Sequence, residues 1–270
     1  MNPKFHHYAV LTAICALTLI AIGAYITSEA IGRQPASRGI LDGVIHKNAA
    51  FAVGALALVF AVWQSYEEAG AAMVWAGMGF LTLAGLVGWL GEPVLHASLA
   101  PMAFSVFVAI SVVTSPAWNE TPEVANDEAA GALRLLAIAT PPLTLLQIIL
   151  GAAYRHKLTS LLPHLGYAML LSLAILGLAM AVLHRHPEHR RLRTAAGWLI
   201  GIFVAQLLLG IMAFILPLLK LNPSVVIVAT ASHVAVGSLT LAASLVLAME
   251  VQRDVRAPAE PKKKAADPSA

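Results

Sequence analysis

Residues 147–164 read QIILGAAYRHKLTSLLPH. An apolar run ends at Tyr154, the basic triplet Arg155-His156-Lys157 breaks it, and a second apolar run opens at Leu161 with His164 just inside it. The stretch therefore holds the end of one apolar helix, a short turn and the start of the next. A histidine within a membrane span is costly, and it usually faces the bundle interior, where it serves function. His46, His96 and His233 occupy comparable places near the starts of other apolar runs.

Working outward, apolar runs of bilayer-crossing length, about 20 residues, fall near 8–26, 44–63, 71–90, 94–114, 133–152, 163–183, 195–217 and 224–249. The chain has 270 residues, of which 59% are hydrophobic and only 11% charged, which excludes an ordinary soluble domain. Spans must satisfy their backbone polar groups internally, so the predicted fold is all-α: an integral membrane protein of eight transmembrane helices. The polar interval SPAWNETPEVANDEAAGA, residues 115–132, separates the spans into two sets of four. The predicted organisation is thus an N-terminal four-helix half (1–118), a linker loop (119–132), a C-terminal four-helix half (133–252) and a basic, disordered tail (253–270).

The net charge of +3 is unevenly spread. With the N-terminus inside, Lys4, Arg134, Arg185, Arg190, Arg191, Arg193, Arg253, Arg256 and Lys262 to Lys264 share the inner side, against Arg33, Arg38, Lys47, Arg155, Lys157 and Lys220 outside. That bias predicts a cell-membrane protein with both termini cytoplasmic. The tail is suited to anionic lipid. Nucleic acid is not an expected partner, because no folded basic surface accompanies the tail. The lone cysteine, Cys15, can form neither an internal disulfide nor a thiolate cluster.

The two halves carry an internal echo. Gln147–Gly151 (QIILG) and Gln206–Gly210 (QLLLG) share their spacing, Gly23 and Gly85 take similar positions in the first and third spans, and the four histidines fall on alternate spans that start from one side. Parallel repeated halves are a known membrane architecture. In each half two imidazoles can face one another, His46 with His96 and His164 with His233. Such a pair suits a porphyrin iron, which takes axial imidazoles from opposite faces. Interfacial, hydrogen-bonded structural histidines are the competing reading, and direct zinc or copper binding needs a tighter cluster. His6, His7, His184, His186 and His189 read as solvated polar residues of the inner segments. His156 lies in an outer turn, facing either a haem propionate or lipid headgroups. Gln147 and Gln206 are explained by interhelical hydrogen bonds. Asp42, one turn before His46, is the acid best placed near a redox centre, and a helix N-terminal acid explains it equally.

LQIILGAAYRH with His164, QLLLGIMAF before His233, and the helix starts at His46 and His96 together resemble the haem A synthase family of cytochrome oxidase assembly proteins. The resemblance spans nearly the whole chain except the tail. It implies haem b as cofactor on His164 and His233, and haem O as substrate at His46 and His96. The implied reaction oxidises a ring methyl to a formyl through successive hydroxylations. The implied partners are haem O synthase and an electron acceptor, and such a bundle is compatible with a homo-oligomer. The family usually places a glutamate three residues before its first histidine. Gly43 stands there, which leaves the adjacent Asp42 as the candidate acid. A non-catalytic haem-binding or electron-transfer relative, and a transporter or structural bundle with incidental histidines, are the alternatives.

Overall fold

The computed structural model describes residues 3–32, 40–64 and 71–258, apart from the side chains of residues 3, 30–32, 40–43, 64, 71, 73 and 74. Among the described residues the chain is almost wholly helical. The helices are α1 (Pro3–Gly32), α2 (Ile40–Gln64), α3 (Ala71–Trp89), α4 (Pro93–Val113), the single turn α5 (Pro116–Asn119), α6 (Ala130–Arg155), α7 (Leu161–Arg185), α8 (Arg190–Leu218) and α9 (Pro223–Asp254). Two short strands, β1 (Ala125–Asn126) and β2 (Val255–Arg256), pair in parallel. Among the described residues seven helices are long and apolar enough to cross a membrane; Trp75–Trp89 within α3 is apolar but shorter. Large apolar side chains such as Leu135, Met169, Leu173 and Trp198 stand exposed along them. Apolar surface on that scale is at home against lipid. The chain is a helical multi-pass membrane protein.

Local chemistry sets the helix ends. Pro93, Pro116 and Pro223 sit in first turns, where a missing N–H costs nothing. The Asn222 side chain accepts from the Ser224 amide at 2.9 Å to cap α9. Three turns close alike: Gly91, Lys157 and Lys220 have φ of 80°, 62° and 52°. Each follows a helix, and the next amide donates to the carbonyl five residues back: Glu92 to Val87, Leu158 to Ala153, Leu221 to Leu216. This is the Schellman arrangement, which satisfies carbonyls left over at a helix end. Only Gly91 takes the left-handed backbone without a Cβ penalty. Inside the spans, hydroxyls such as Thr140 and Ser105 donate to the carbonyl four residues back, which satisfies those O–H groups without water.

Within the first four long helices, α1 packs on α2 and α4, and α3 on α2 and α4. In the second four, α6 packs on α7 and α9, and α8 on α7 and α9. Each set has its own core. Phe5, Phe60, Phe104 and Phe107 lead the first, and Ile175, Leu178, Leu192, Leu199 and Leu247 the second. The helix that joins them is α9, which also packs on α1 and α4 and is the most buried of the seven. Its buried positions are mostly small, including Ala229, Gly237, Ser238, Ala242, Ser244 and Ala248. Small residues let helix backbones approach closely where lipid supplies no hydrophobic drive.

The end of the bundle where the linker runs corrects one expectation. His186 and His189 are buried, not solvated. His186 Nε2 lies 3.1 Å from Asp127 Oδ2, and Arg185 pairs with the other oxygen of that carboxylate. His189 caps α8 by accepting from the Leu192 amide at Nδ1, while its Nε2 donates to the Glu123 carbonyl at 2.8 Å. Asp254, fully buried, is approached by Arg191 at 3.3 Å, His189 at 3.4 Å and Arg253 at 3.7 Å. Arg253 also covers the Trp118 ring. Linker, α7–α8 loop and the end of α9 are thereby pinned together, and β1 with β2 adds the backbone part of the same tie.

Candidate functional site

All four candidate histidines lie toward the opposite end, in the first turn of α4 and α7, the second turn of α2 and about three turns into α9, and all are half-buried. Antiparallel packing of each helix on its predecessor brings the imidazole against the end of that preceding helix. There a glycine receives it every time. A Cβ on Gly23 would lie 2.8 Å from His46 Cε1, on Gly88 2.7 Å from His96 Nδ1, on Gly151 2.9 Å from His164 Cε1, and on Gly210 2.9 Å from His233 Cε1. Carbon atoms normally meet at about 3.5 Å or more, so no other residue fits these four positions with the ring where it is. The expected pairing of Gly23 with Gly85 is corrected here: a Cβ on Gly85 would meet nothing within 4 Å, and Gly88, three residues on, carries the contact.

The rings come together in two pairs. The centroids of His46 and His96 are 6.0 Å apart with an interplanar angle of 83°; those of His164 and His233 are 6.4 Å apart, also at 83°. The two halves thus repeat one geometry to within a few tenths of an ångström. Two metal–imidazole bonds of about 2 Å, plus a ring radius of about 1 Å on each side, place two axial imidazole centroids about 6 Å apart. Both pairs meet that spacing.

Hydrogen bonds orient the rings. His96 Nδ1 donates to the Ala84 carbonyl at 2.8 Å, and His233 Nδ1 donates to the Gln206 carbonyl at 3.2 Å. Ala84 and Gln206 each stand four residues before the cradle glycine. A proton on Nδ1 leaves the Nε2 lone pair for a metal, the usual arrangement for a ligating histidine. At His164 the Gln147 amide nitrogen donates to the His164 carbonyl at 3.0 Å and lies 3.1 Å from Nδ1. Gln147 Oε1 is buried without a partner. His46 Nδ1 is buried with no partner among the described residues. The Asp42 side chain, one turn before it, lies outside the described residues. In the C-terminal pair, then, each imidazole has a glutamine amide beside it, since Gln206 Nε2 also lies 3.4 Å from His233 Nε2. Leu19 and Ala84 hold the corresponding places in the N-terminal half.

Among the described residues no three His, Cys, Asp or Glu side chains gather to hold a metal ion. Two imidazoles alone make a poor site for a bare cation but a sufficient one for an iron whose macrocycle supplies the equatorial donors. Open apolar grooves of about 350 and 340 Å³ lie between α8 and α9, lined by Leu209, Met212 and Val228, and between α1 and α2, lined by Thr18, Tyr25 and Ile45; none of the four histidines lines either. Two imidazoles at this spacing are the donor set that a haem iron would need in each half.

No family model matches the chain, and no curated protein matches it.

Two features escaped the sequence reading. Gly23, Gly151 and Gly210 stood out there as repeat positions, but Gly88 did not, and the part all four play as cradles is legible only once helix register is known. Arg155, expected in a turn, reaches back from the end of α6 to α1, where its Nη2 donates to the Ala24 carbonyl at 2.6 Å and to Ser28 Oγ at 2.8 Å. His156, outside the spans, is held below the ordinary imidazole pKa, first by burial and then by the neighbouring Arg155 charge.

Proposed function

We propose that the chain is a haem-binding membrane oxidoreductase resembling the haem A synthases. It has eight spans in two similar four-helix bundles, set in the cell membrane with the linker end and both termini cytoplasmic. The observation that carries the haem reading is the repeated pair of imidazoles, 6.0 and 6.4 Å apart, each laid on a glycine. The topology is supported by the basic residues at the linker end, Arg185, Arg190, Arg191, Arg193 and Arg253.

His164 and His233 would hold haem b, with Gln147 and Gln206 fixing the two rings; an axially held haem supplies one-electron chemistry. His46 and His96 would receive the substrate haem O. Oxidation of its ring methyl to a formyl consumes water and releases protons and electrons in equal number to an acceptor. Asp42 is the acid assigned to that half. The buried, unpartnered Nδ1 of His46 supports a proton acceptor close to that ring. Gly43, at the place where the family carries its glutamate, favours a second reading, a haem-binding or electron-transfer relative without synthase activity.

The test is an absorption spectrum and pigment extraction on protein purified from cells that also make haem O. A bis-histidine spectrum with haem A among the pigments is the expected result. Haem b alone would shift the assignment to the non-catalytic relative, and a colourless protein would remove the haem reading altogether.

A further inference from the structure

Arg155 stands where the two halves meet. It lies one turn beyond Gly151 on α6, hence on the same helix face as the glycine that receives His164. Its two bonds go to Ala24 and Ser28 on α1, the first of which adjoins Gly23, the cradle of His46. Both bonds are made by Nη2, whereas Nε is buried with no partner. No carboxylate among the described residues forms an ion pair with it, although Arg191 and Arg253, partly buried near helix ends like Arg155, both approach Asp254.

A guanidinium carries five donors in a fixed fork. Desolvating that charge without an anion costs several kcal/mol. A carbonyl and a hydroxyl offset only part of the cost. A structural tie between α1 and α6 would need no more than a neutral donor. The residue instead resembles a carboxylate receptor with one branch anchored and the remaining donors available.

We infer that Arg155 binds a carboxylate of the porphyrin held by His164 and His233, so that the ligand of the C-terminal half is gripped from the junction with the N-terminal half. This rests on the haem reading. The ligand class is accordingly a porphyrin with free acid side chains, rather than an esterified or neutral tetrapyrrole.

The test titrates the purified protein, made in haem-deprived cells, with iron protoporphyrin IX and separately with its dimethyl ester, following Soret absorbance. A charge-assisted hydrogen bond contributes about tenfold or more to affinity, so the wild type should prefer the free acid by at least that factor. Arg155→Lys should keep most of the preference and Arg155→Gln should reduce the ratio to near one, with His164→Ala as the baseline for loss of the axial ligand. Equal affinity of the wild type for acid and ester would overturn the inference while leaving the haem reading intact, and so would an undiminished preference in Arg155→Gln. If the wild type binds neither porphyrin, the haem reading fails and the inference with it. The wild-type ratio decides even if Arg155→Gln does not fold.

Discussion

Gly210→Ala is the sharpest probe of the histidine cradles. The added Cβ would lie 2.9 Å from His233 Cε1 and 3.3 Å from Nδ1. Restoring an ordinary carbon–carbon contact of about 3.5 Å requires the ring to retreat by about 0.6 Å. The Nδ1 bond to the Gln206 carbonyl is already 3.2 Å long, at the far end of the normal range, so it has no length to give. Disturbing an outer-shell partner of a metal-binding histidine typically costs about 10–100-fold in affinity, and overpacking costs about 1–3 kcal/mol of stability. Against this stands the helix-propensity gain of glycine to alanine, about 1 kcal/mol. Gly201→Ala supplies the control, because it lies on the same helix and its Cβ would meet nothing within 4 Å. The two variants share the propensity gain, so the difference between them isolates the clash. Pigment content per protein and thermal unfolding in detergent should both fall in Gly210→Ala and hold or rise in Gly201→Ala. Equal behaviour of the two would refute the cradle argument.

The same comparison on α3 sets Gly88→Ala, expected to displace His96, against Gly85→Ala, expected to be silent; pigment content reads both. His164→Ala should abolish the haem b spectrum, and an unchanged spectrum would remove the ligand assignment. At the linker end, Asp254→Asn leaves Arg191 and Arg253 without their anion at a fully buried site, a loss of about 3–5 kcal/mol; thermal unfolding and protease cleavage within 119–129 should both report it. His156 loses protons more readily in the fold than in the unfolded chain. Its contribution to stability is therefore full above the ordinary imidazole pKa and lost as pH falls through the lowered value. Melting temperatures near pH 7.5 and 5.5 should differ less in His156→Gln than in the wild type.

Long apolar runs and histidines placed just inside them were readable from the sequence because hydropathy and span length are local properties. The cradle on α3 was not. Gly85 and Gly88 are three residues apart in a helix that is apolar on every side, and only the depth at which α4 crosses it decides which one meets His96. Burial of His186 and His189 was hidden for another reason. Their partners Asp127, Glu123 and Asp254 lie in segments that the chain brings together only in three dimensions, and hydropathy averages the loop HRHPEHRRLR to a solvated patch. Arg155 was placed in a turn by its neighbours His156 and Lys157, yet its side chain turns back toward Ala24, 131 residues earlier. Asp42 stands apart: its side chain lies outside the described residues, and its role is a matter for mutation.

The position of α9 has a consequence for biogenesis. This helix packs on α1, α4, α6 and α8, its Ala242 enters the core of the N-terminal half, and the strand that follows it pairs with the linker. The ribosome makes it after the other eight helices. During synthesis the first four long helices therefore form with a core that lacks a contributor, a linker with no strand to pair with, and later the His164 ring without its counterpart. Chain elongation past residue 256 completes all three at once, so an insertion arrest before α9 would leave a polytopic intermediate without its C-terminal imidazole pair and with its halves joined through α4, α6 and the Arg155 bonds to α1 but not through α9.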